Sequence, residues 1–294
     1  MIGLLCLIWG FNWVVMKLGN GVFPPVMFAA LRFSTGAAVL FAIAYVRKVP
    51  LPTKRDLKWY ALCGVLQTTY FNIAIQISLN YISTGLTSVL TYSMPLFLSI
   101  MAHFFIAGER LTTRKTIGIA IGLFGLFFAM DAHFGGGLWA LLLGLSSAVS
   151  WALSNVIIKR KLQHCDNVQF TTWQMALGAV GLILYAVLFE HGAPHWGVMP
   201  IVYVLFAGIV ASSLGFVLWF HILARTEASK ASISLLLVPV VGVLSSWLFL
   251  HEHLKGVTLV GIALVLVGIW FVNGRAKRKS LSQVADASRD VGIN

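Results

Sequence analysis

Long apolar runs alternate with short polar connections along the first 273 residues of the chain. Each run approaches the roughly 20 residues with which an α-helix crosses a bilayer core. Backbone amides in lipid must bond within their own segment, so the runs predict helices. The predicted spans are residues 2–19, 26–46, 59–79, 84–107, 115–131, 137–158, 168–189, 198–223, 230–250 and 256–273.

Composition excludes a water-soluble protein. Of 294 residues, 59% are hydrophobic and only 10% are charged, against about 25% charged in an average soluble protein. A soluble fold would have to expose much of this apolar surface to water. The sequence therefore predicts an all-α polytopic membrane protein with ten transmembrane helices, followed by a polar and flexible tail at 274–294.

The basic residues alternate between connections and so indicate orientation. Eighteen of the 21 lysines and arginines fall after spans 2, 4, 6 and 8 or in the tail. Because such residues favour the cytoplasmic side, we expect both termini in the cytoplasm. The net charge of +12 is thus a topology signal, and no nucleic-acid partner is expected. The basic cluster at 275–279 is expected to contact anionic lipid headgroups.

The two halves of the chain repeat each other. The segment from Trp9 to Lys17 matches that from Trp151 to Lys159, and the ends of spans 4 and 9 match at Glu109 and Glu252. Five spans is an odd number, so the second copy must enter the membrane from the opposite side. Residues 1–131 and 137–273 are therefore predicted to be inverted repeats, which is typical of secondary transporters with a site at the repeat interface.

These motifs together resemble the EamA-domain exporters of the drug/metabolite transporter superfamily. The resemblance rests on Trp-Gly-x-Asn in span 1, Leu-Arg-Phe at 31–33, the Gly-Glu-Arg-Leu end of span 4, and Leu-Leu-Val-Pro-Val-Val-Gly at 236–242. It covers residues 1–273, and it departs from the family at His253, where arginine is more usual. It implies two EamA repeats, a central cavity, and export of amino acids, related metabolites or toxic compounds across the bacterial inner membrane.

The inverted repeats and the family resemblance together favour a secondary exporter that works by alternating access, and two classes of alternative stay open. A multidrug or nucleoside carrier is the first alternative, and a membrane-embedded enzyme or a channel is the second. H-E-x-x-H, G-x-S-x-G and the Walker lysine loop are absent from the sequence, so we expect neither an enzyme nor a cofactor. His251 and His253 do not share a helix face, and no metal site is expected. Glycine faces on spans 5 and 10 permit close packing, and the family resemblance suggests a homodimer there.

Polar and aromatic side chains inside spans supply the candidate substrate site, because burying them in lipid is costly. Asn12 and its repeat mates Ser154 and Asn155 could bind substrate or join helices by hydrogen bonds. Trp9 and Trp151 could form cavity walls or simply pack. In span 3, Gln67 and Tyr70 are three residues apart and predict one polar face, while Asn72 and Gln76 predict a second.

Tyr92 in span 4 is a further candidate. A cavity lined by tryptophan, tyrosine and amide groups suits zwitterions with an apolar part. Pro95 and Pro239 are predicted to kink spans 4 and 9 and are hinge candidates, although static kinks would look the same. Arg32 lies inside span 2, and three roles are possible for it. It could extend its charge outward to the membrane interface, bind a substrate carboxylate, or bind the C-terminus of a helix. We favour a structural role for Arg32. Glu109 and Glu252 are also predicted to be structural charges.

Overall fold

A computed structural model describes residues 1–106, 110–130, 137–225, 235, 237–252 and 255–273. Within these ranges all regular structure is helical. The α-helices are α1 Ile2–Asn20, α2 Pro25–Val46, α3 Lys54–Cys63, α4 Phe71–Ser78, α5 Thr84–Thr91, α6 Met94–Phe105, α7 Thr113–Met130, α8 Leu138–Lys161, α9 Asn167–Phe189, α10 Val198–Leu205, α11 Gly215–Arg225, α12 Leu237–Leu250 and α13 Gly256–Asn273. Six stretches of the described helices are long and apolar enough to cross a membrane, and Leu237–Leu250 and Leu259–Phe271 are shorter apolar helices.

Two of the predicted spans contain π-helical segments that the hydropathy pattern did not predict. Gly64–Tyr70 joins α3 to α4, and Phe206–Leu214 joins α10 to α11. A π-helical turn holds more residues than an α-helical turn because its hydrogen bonds reach from i to i+5. Side chains after each π-helical segment are therefore rotated relative to those before it.

Span 4 is two helices rather than one kinked helix, which corrects the expected position of its proline. Helix α5 ends at Thr91, and Pro95 lies in the first turn of α6. Pro239 likewise lies in the first turn of α12. First-turn positions suit proline because their backbone N–H groups have no partner inside the helix. The proposed hinge role of both prolines stays a prediction.

Two glutamates accept hydrogen bonds from the N-termini of helices that are distant in the sequence, α2 and α5. The Glu190 carboxylate accepts hydrogen bonds from the backbone N–H groups of Val26 and Met27, at 2.8 and 2.7 Å. Glu252 accepts from the backbone N–H and the hydroxyl of Thr84, at 2.8 and 2.9 Å. A carboxylate in this position accepts hydrogen bonds from N–H groups that have no partner inside the helix. Its negative charge also interacts favourably with the positive end of the helix dipole. Glu109 and the tail 274–294 lie outside the described residues.

Helices α7 and α13, in spans 5 and 10, pack against each other through glycines within one chain. A Cβ atom on Gly125 would lie 2.6 Å from the Val265 nitrogen, and one on Gly268 would lie 2.5 Å from the Gly122 Cα atom. These glycine faces are therefore buried inside the protomer. A homodimer through spans 5 and 10 stays a prediction, and it would have to use the opposite faces, where Phe124 and Val260 are exposed.

Candidate functional site

A cavity lies at the centre of the bundle, between helices from both halves of the chain. It contains about 510 Å³ of space between protein atoms, including its opening. Its lining is mostly aromatic and apolar, with three strongly polar side chains. The lining residues are Trp9, Asn12, Trp13, Met16, Arg32, Gln67, Phe71, Ile75, Tyr92, Trp151, Ala211 and Phe216.

Aromatic rings form the cavity walls in two connected groups. Tyr92 contacts Trp151 at 5.5 Å between ring centroids and Trp13 at 6.4 Å, both edge to face. Trp9 contacts Phe216 at 5.6 Å, and its indole N–H donates to the Ala211 carbonyl at 2.9 Å. Edge-to-face packing and this hydrogen bond fix the ring planes. The walls therefore offer flat apolar surfaces to a ligand.

Polar atoms without partners also belong to these lining residues. Asn12 is 7% exposed, and its Oδ1 atom accepts no hydrogen bond. The indole N–H of Trp151 also lacks an acceptor. Buried polar groups normally have partners, because leaving one unpaired costs about 1–3 kcal/mol. Both groups can bind a ligand in the cavity without breaking a contact.

Comparison with known proteins identifies the family. The model of the EamA-like transporter family matches residues 1–130 and again 138–274. The chain belongs to the EamA-like transporter family. It is therefore a multi-pass membrane protein of a transporter family.

Curated relatives are similar to this EamA protein over nearly the whole chain. An uncharacterized transporter of Bacillus subtilis, YoaV, is 33% identical over 92% of this chain and 95% of its own length. A probable amino-acid metabolite efflux pump of Escherichia coli is 28% identical, covering 95% of both chains. A probable terminal-alkyne amino-acid exporter of Streptantibioticus cattleyicolor is 25% identical over 95% of this chain and 93% of its own.

A crystal structure of another protein has the same fold as this EamA chain. The match has a TM-score of 0.71 at 21% sequence identity, and it covers 94% of this chain and 97% of the other.

Five of the eight predicted substrate-binding residues line the EamA cavity together: Trp9, Asn12, Gln67, Tyr92 and Trp151. Ser154 lies one contact behind them and donates to the Gln67 side-chain oxygen at 3.0 Å. The Asn155 side-chain nitrogen donates to the Met94 sulfur at 3.5 Å, and Asn155 is not a lining residue. Their binding roles remain predictions.

Tyr70 lies away from the cavity, contrary to the expected shared face with Gln67. It is 41% exposed, and its hydroxyl donates to Ser146 at 2.9 Å. The expectation assumed an α-helical 100° per residue, whereas both residues lie in the π-helical Gly64–Tyr70. The wider turn rotates residues at i and i+3 further apart.

The second polar strip of span 3 makes one hydrogen bond within span 3 and one to the start of α2. Asn72 donates to the Thr68 carbonyl at 2.7 Å, and Gln76 donates to the Pro25 carbonyl at 3.0 Å. Neither is among the lining residues.

Several lining residues were not among the predicted site residues. Trp13 lies next to Asn12 in the repeated segment from Trp9 to Lys17, and this position was a usable signal. Met16, Phe71, Ile75, Ala211 and Phe216 are ordinary apolar residues of apolar spans, and no sequence feature distinguishes them. Their place at the cavity depends on how each helix is rotated.

Three hydrogen bonds join the end of α1 to the end of α4 and the turn that follows it. The Lys17 ammonium donates to the Leu79 carbonyl. Asn20 donates to the Gln76 carbonyl at 3.2 Å and to the Asn80 side-chain oxygen at 3.3 Å. These three contacts hold spans 1 and 3 together beyond Met16 and Ile75.

One cluster of metal-ligand residue types lies outside the cavity. Ligand atoms of Asp56, His164 and Cys165 lie within 4.8 Å of one another. His164 Nε2 lies 3.2 Å from an Asp56 oxygen and 3.5 Å from the Cys165 sulfur. We interpret the cluster as a hydrogen-bonded contact between α3 and the α8–α9 connection.

Proposed function

We propose that this chain is a secondary transporter that exports amino acids or their derivatives across the bacterial inner membrane by alternating access. The observation that carries the proposal is the central cavity, which both halves line with aromatic walls and a few polar groups. Such a lining suits small molecules that are partly apolar and partly charged. The names of the Escherichia coli and Streptantibioticus cattleyicolor relatives, which describe amino-acid efflux or export, support this class of substrate.

The proposal includes ten spans arranged as two inverted repeats, residues 1–131 and 137–273. Related packing in the two halves supports it: α1 packs on α12 as α8 packs on α6, and the π-helical Gly64–Tyr70 packs on α9 as Phe206–Leu214 packs on α2. The two π-helical segments occupy corresponding positions in the repeats. Paired elements of this kind can exchange conformations between an inward-open and an outward-open state.

We further propose that both termini are cytoplasmic. The basic connections support this orientation, and Glu190 and Glu252 would then lie together at the external end. No carboxylate of the described residues lines the cavity. Transport would therefore be driven by the substrate gradient, or by a proton carried on a histidine or on the substrate.

Counterflow in proteoliposomes tests the proposed function. Vesicles containing the full chain are preloaded with one amino acid, and uptake of the labelled compound is measured for wild type, Trp151→Ala and Trp247→Ala. Trp247 is the matched control because it is 56% exposed on the bundle surface, whereas Trp151 is 4% exposed and lines the cavity. We expect exchange by wild type and Trp247→Ala, and at least a tenfold loss in folded Trp151→Ala.

Other results would change the proposal in defined ways. Exchange of nucleosides or cationic dyes without any amino acid would replace the substrate class with the multidrug or nucleoside alternative. Flux that neither saturates nor responds to competitors would indicate a channel. Equal exchange by Trp151→Ala and Trp247→Ala would remove the aromatic wall from the pathway.

A further inference from the structure

Arg32 is a buried cation that lines the cavity of the bundle. Its side chain is 6% exposed, and Arg32 belongs to the lining. Nε donates to the Ser212 hydroxyl at 3.1 Å, and Nη1 donates to the Met16 sulfur at 2.7 Å. The guanidinium also lies over the Phe33 ring, 4.4 Å from its centroid. These partners fix the position of the guanidinium without neutralising it.

The charge of Arg32 has no counterion among the described residues. Glu190 and Glu252, the glutamates that follow spans 7 and 9, are bound at the N-termini of α2 and α5. An unpaired buried charge is costly, so buried arginines normally face a carboxylate or a phosphate. The missing negative charge must therefore come from outside this part of the chain.

The free donors of Arg32 have the geometry of a carboxylate site. A guanidinium carries five N–H donors in a planar fork. The two bonds to Ser212 and Met16 leave three that donate to no atom of the described residues. Such a fork binds both oxygens of a carboxylate in parallel hydrogen bonds. Phosphate could use the same donors, but the predominantly apolar walls provide no second cation for its second charge.

Asn12 supplies an acceptor in the same cavity. Its Oδ1 atom is buried and unpaired, and an amide oxygen can accept a hydrogen bond from an ammonium group. Trp9 and Trp151 add ring faces that attract cations. The cavity therefore combines a positive group, a neutral acceptor and apolar walls, which correspond to the three parts of an apolar α-amino acid.

We propose that Arg32 binds the α-carboxylate of the transported molecule while Asn12 accepts a hydrogen bond from its α-ammonium group. The substrate class is then zwitterionic α-amino acids with apolar side chains, and this inference rests on the proposed function. Arg32 acts as a specificity residue rather than only as a structural charge. Amides, which lack the carboxylate, should bind poorly.

Competition between an acid and its amide tests the role of Arg32. Proteoliposomes containing the full chain first exchange labelled phenylalanine, leucine and methionine, and the fastest of these is used thereafter. Unlabelled amino acid and its amide compete at about pH 6, where both amino groups are protonated. We expect wild type to need roughly tenfold to a hundredfold more amide for half-inhibition. Exchange by Arg32→Gln should be inhibited equally by the acid and by its amide. This variant should also transport the labelled amide.

Arg32→Lys keeps the charge and loses the fork, so it tests the inference if Arg32→Gln does not fold. We expect Arg32→Lys to bind more weakly but to keep a preference for the acid. Asn12→Leu should lose its preference for the amino acid over the analogue without an amino group, 3-phenylpropionate for phenylalanine. Asn12→Leu should nevertheless keep the preference for acid over amide.

The outcomes separate this inference from the proposed function. Amino-acid exchange by wild type without any preference for acid over amide would overturn the carboxylate site and leave the transporter intact. An equal loss of acid and amide binding in folded Arg32→Gln would indicate a purely structural arginine and would also overturn it. Absence of amino-acid exchange by wild type would overturn the proposed substrate class, and this inference with it.

Discussion

Asp56 links the start of α3 to the connection between α8 and α9. The Thr53 hydroxyl donates to the Asp56 carboxylate at 2.6 Å and accepts from the Asp56 backbone N–H at 3.1 Å. His164 contacts the same carboxylate from across the chain. Asp56 lies before the predicted span 59–79, in the first helical turn, where a negative charge is favourable. The bond from Thr53, supported by His164, holds the pKa of Asp56 below its ordinary value.

Asp56→Asn should lower thermal stability at neutral pH, by about 0.5–1 kcal/mol. A carboxylate whose pKa is depressed by folding stabilises the protein above its unfolded pKa, near 3.8, and loses this effect as the pH falls through the folded value. Thermal unfolding in detergent should thus separate wild type from Asp56→Asn at pH 7, and the difference should shrink steadily as the pH falls below about 4. A difference that does not change between pH 7 and this acidic range would exclude ionisation as the cause.

At the scale of elements, glycines decide how closely α7 and α13 approach. Gly268 meets the backbone of Gly122, where a Cβ atom would lie 2.5 Å from the Gly122 nitrogen and Cα. Backbone cannot move aside as a flexible side chain can, so an added methyl group must separate the helices. Gly256 begins the same helix and has no atom within 4 Å of its Cβ position.

Gly268→Ala should destabilise the protein by about 1–3 kcal/mol through overpacking. Gly256→Ala is the matched control, since the same change in open space should be neutral or slightly stabilising. Thermal unfolding in detergent compares the two variants. Equal stability would mean that α7 and α13 do not pack through these glycines.

For the whole molecule, the proposed orientation in the membrane rests on the basic residues and on the order of the predicted spans. The connection after span 7 holds the exposed Gly192. Three predicted spans separate it from the tail, and this odd number would place the two on opposite sides of the membrane. The basic connections favour the cytoplasmic tail that we propose. These two features can be tested independently of transport.

Single cysteines report the orientation, in a background where Cys6, Cys63 and Cys165 are replaced. We expect Gly192→Cys to react with a membrane-impermeant maleimide on intact cells. Ser280→Cys, in the tail, should react only after permeabilisation. The reverse pattern would invert the proposed orientation, and labelling of both on intact cells would contradict the three spans predicted between Gly192 and Ser280.

Hydropathy along the chain was sufficient to predict helical membrane spans, and the combined motifs were sufficient to predict the EamA family, which is confirmed. The spans depend on local sequence, because each span must satisfy its own backbone hydrogen bonds in lipid. The family is identified by short motifs, which are also local. Trp9, Asn12 and Trp151 were selected for the same reason: polar or aromatic groups deep in a span are costly without a protein environment. The count of ten inverted spans stays a prediction.

Tertiary structure alone decided which side chains meet at the cavity. The π-helical Gly64–Tyr70 moved Tyr70 away from Gln67, and helix rotation brought the apolar Met16 and Phe216 into the lining. Packing also left Arg32 buried without a counterion in the described part of the chain, whereas the sequence pattern favours a structural charge. Rotation about a helix axis depends on contacts with distant segments, so a pattern along one span cannot specify it.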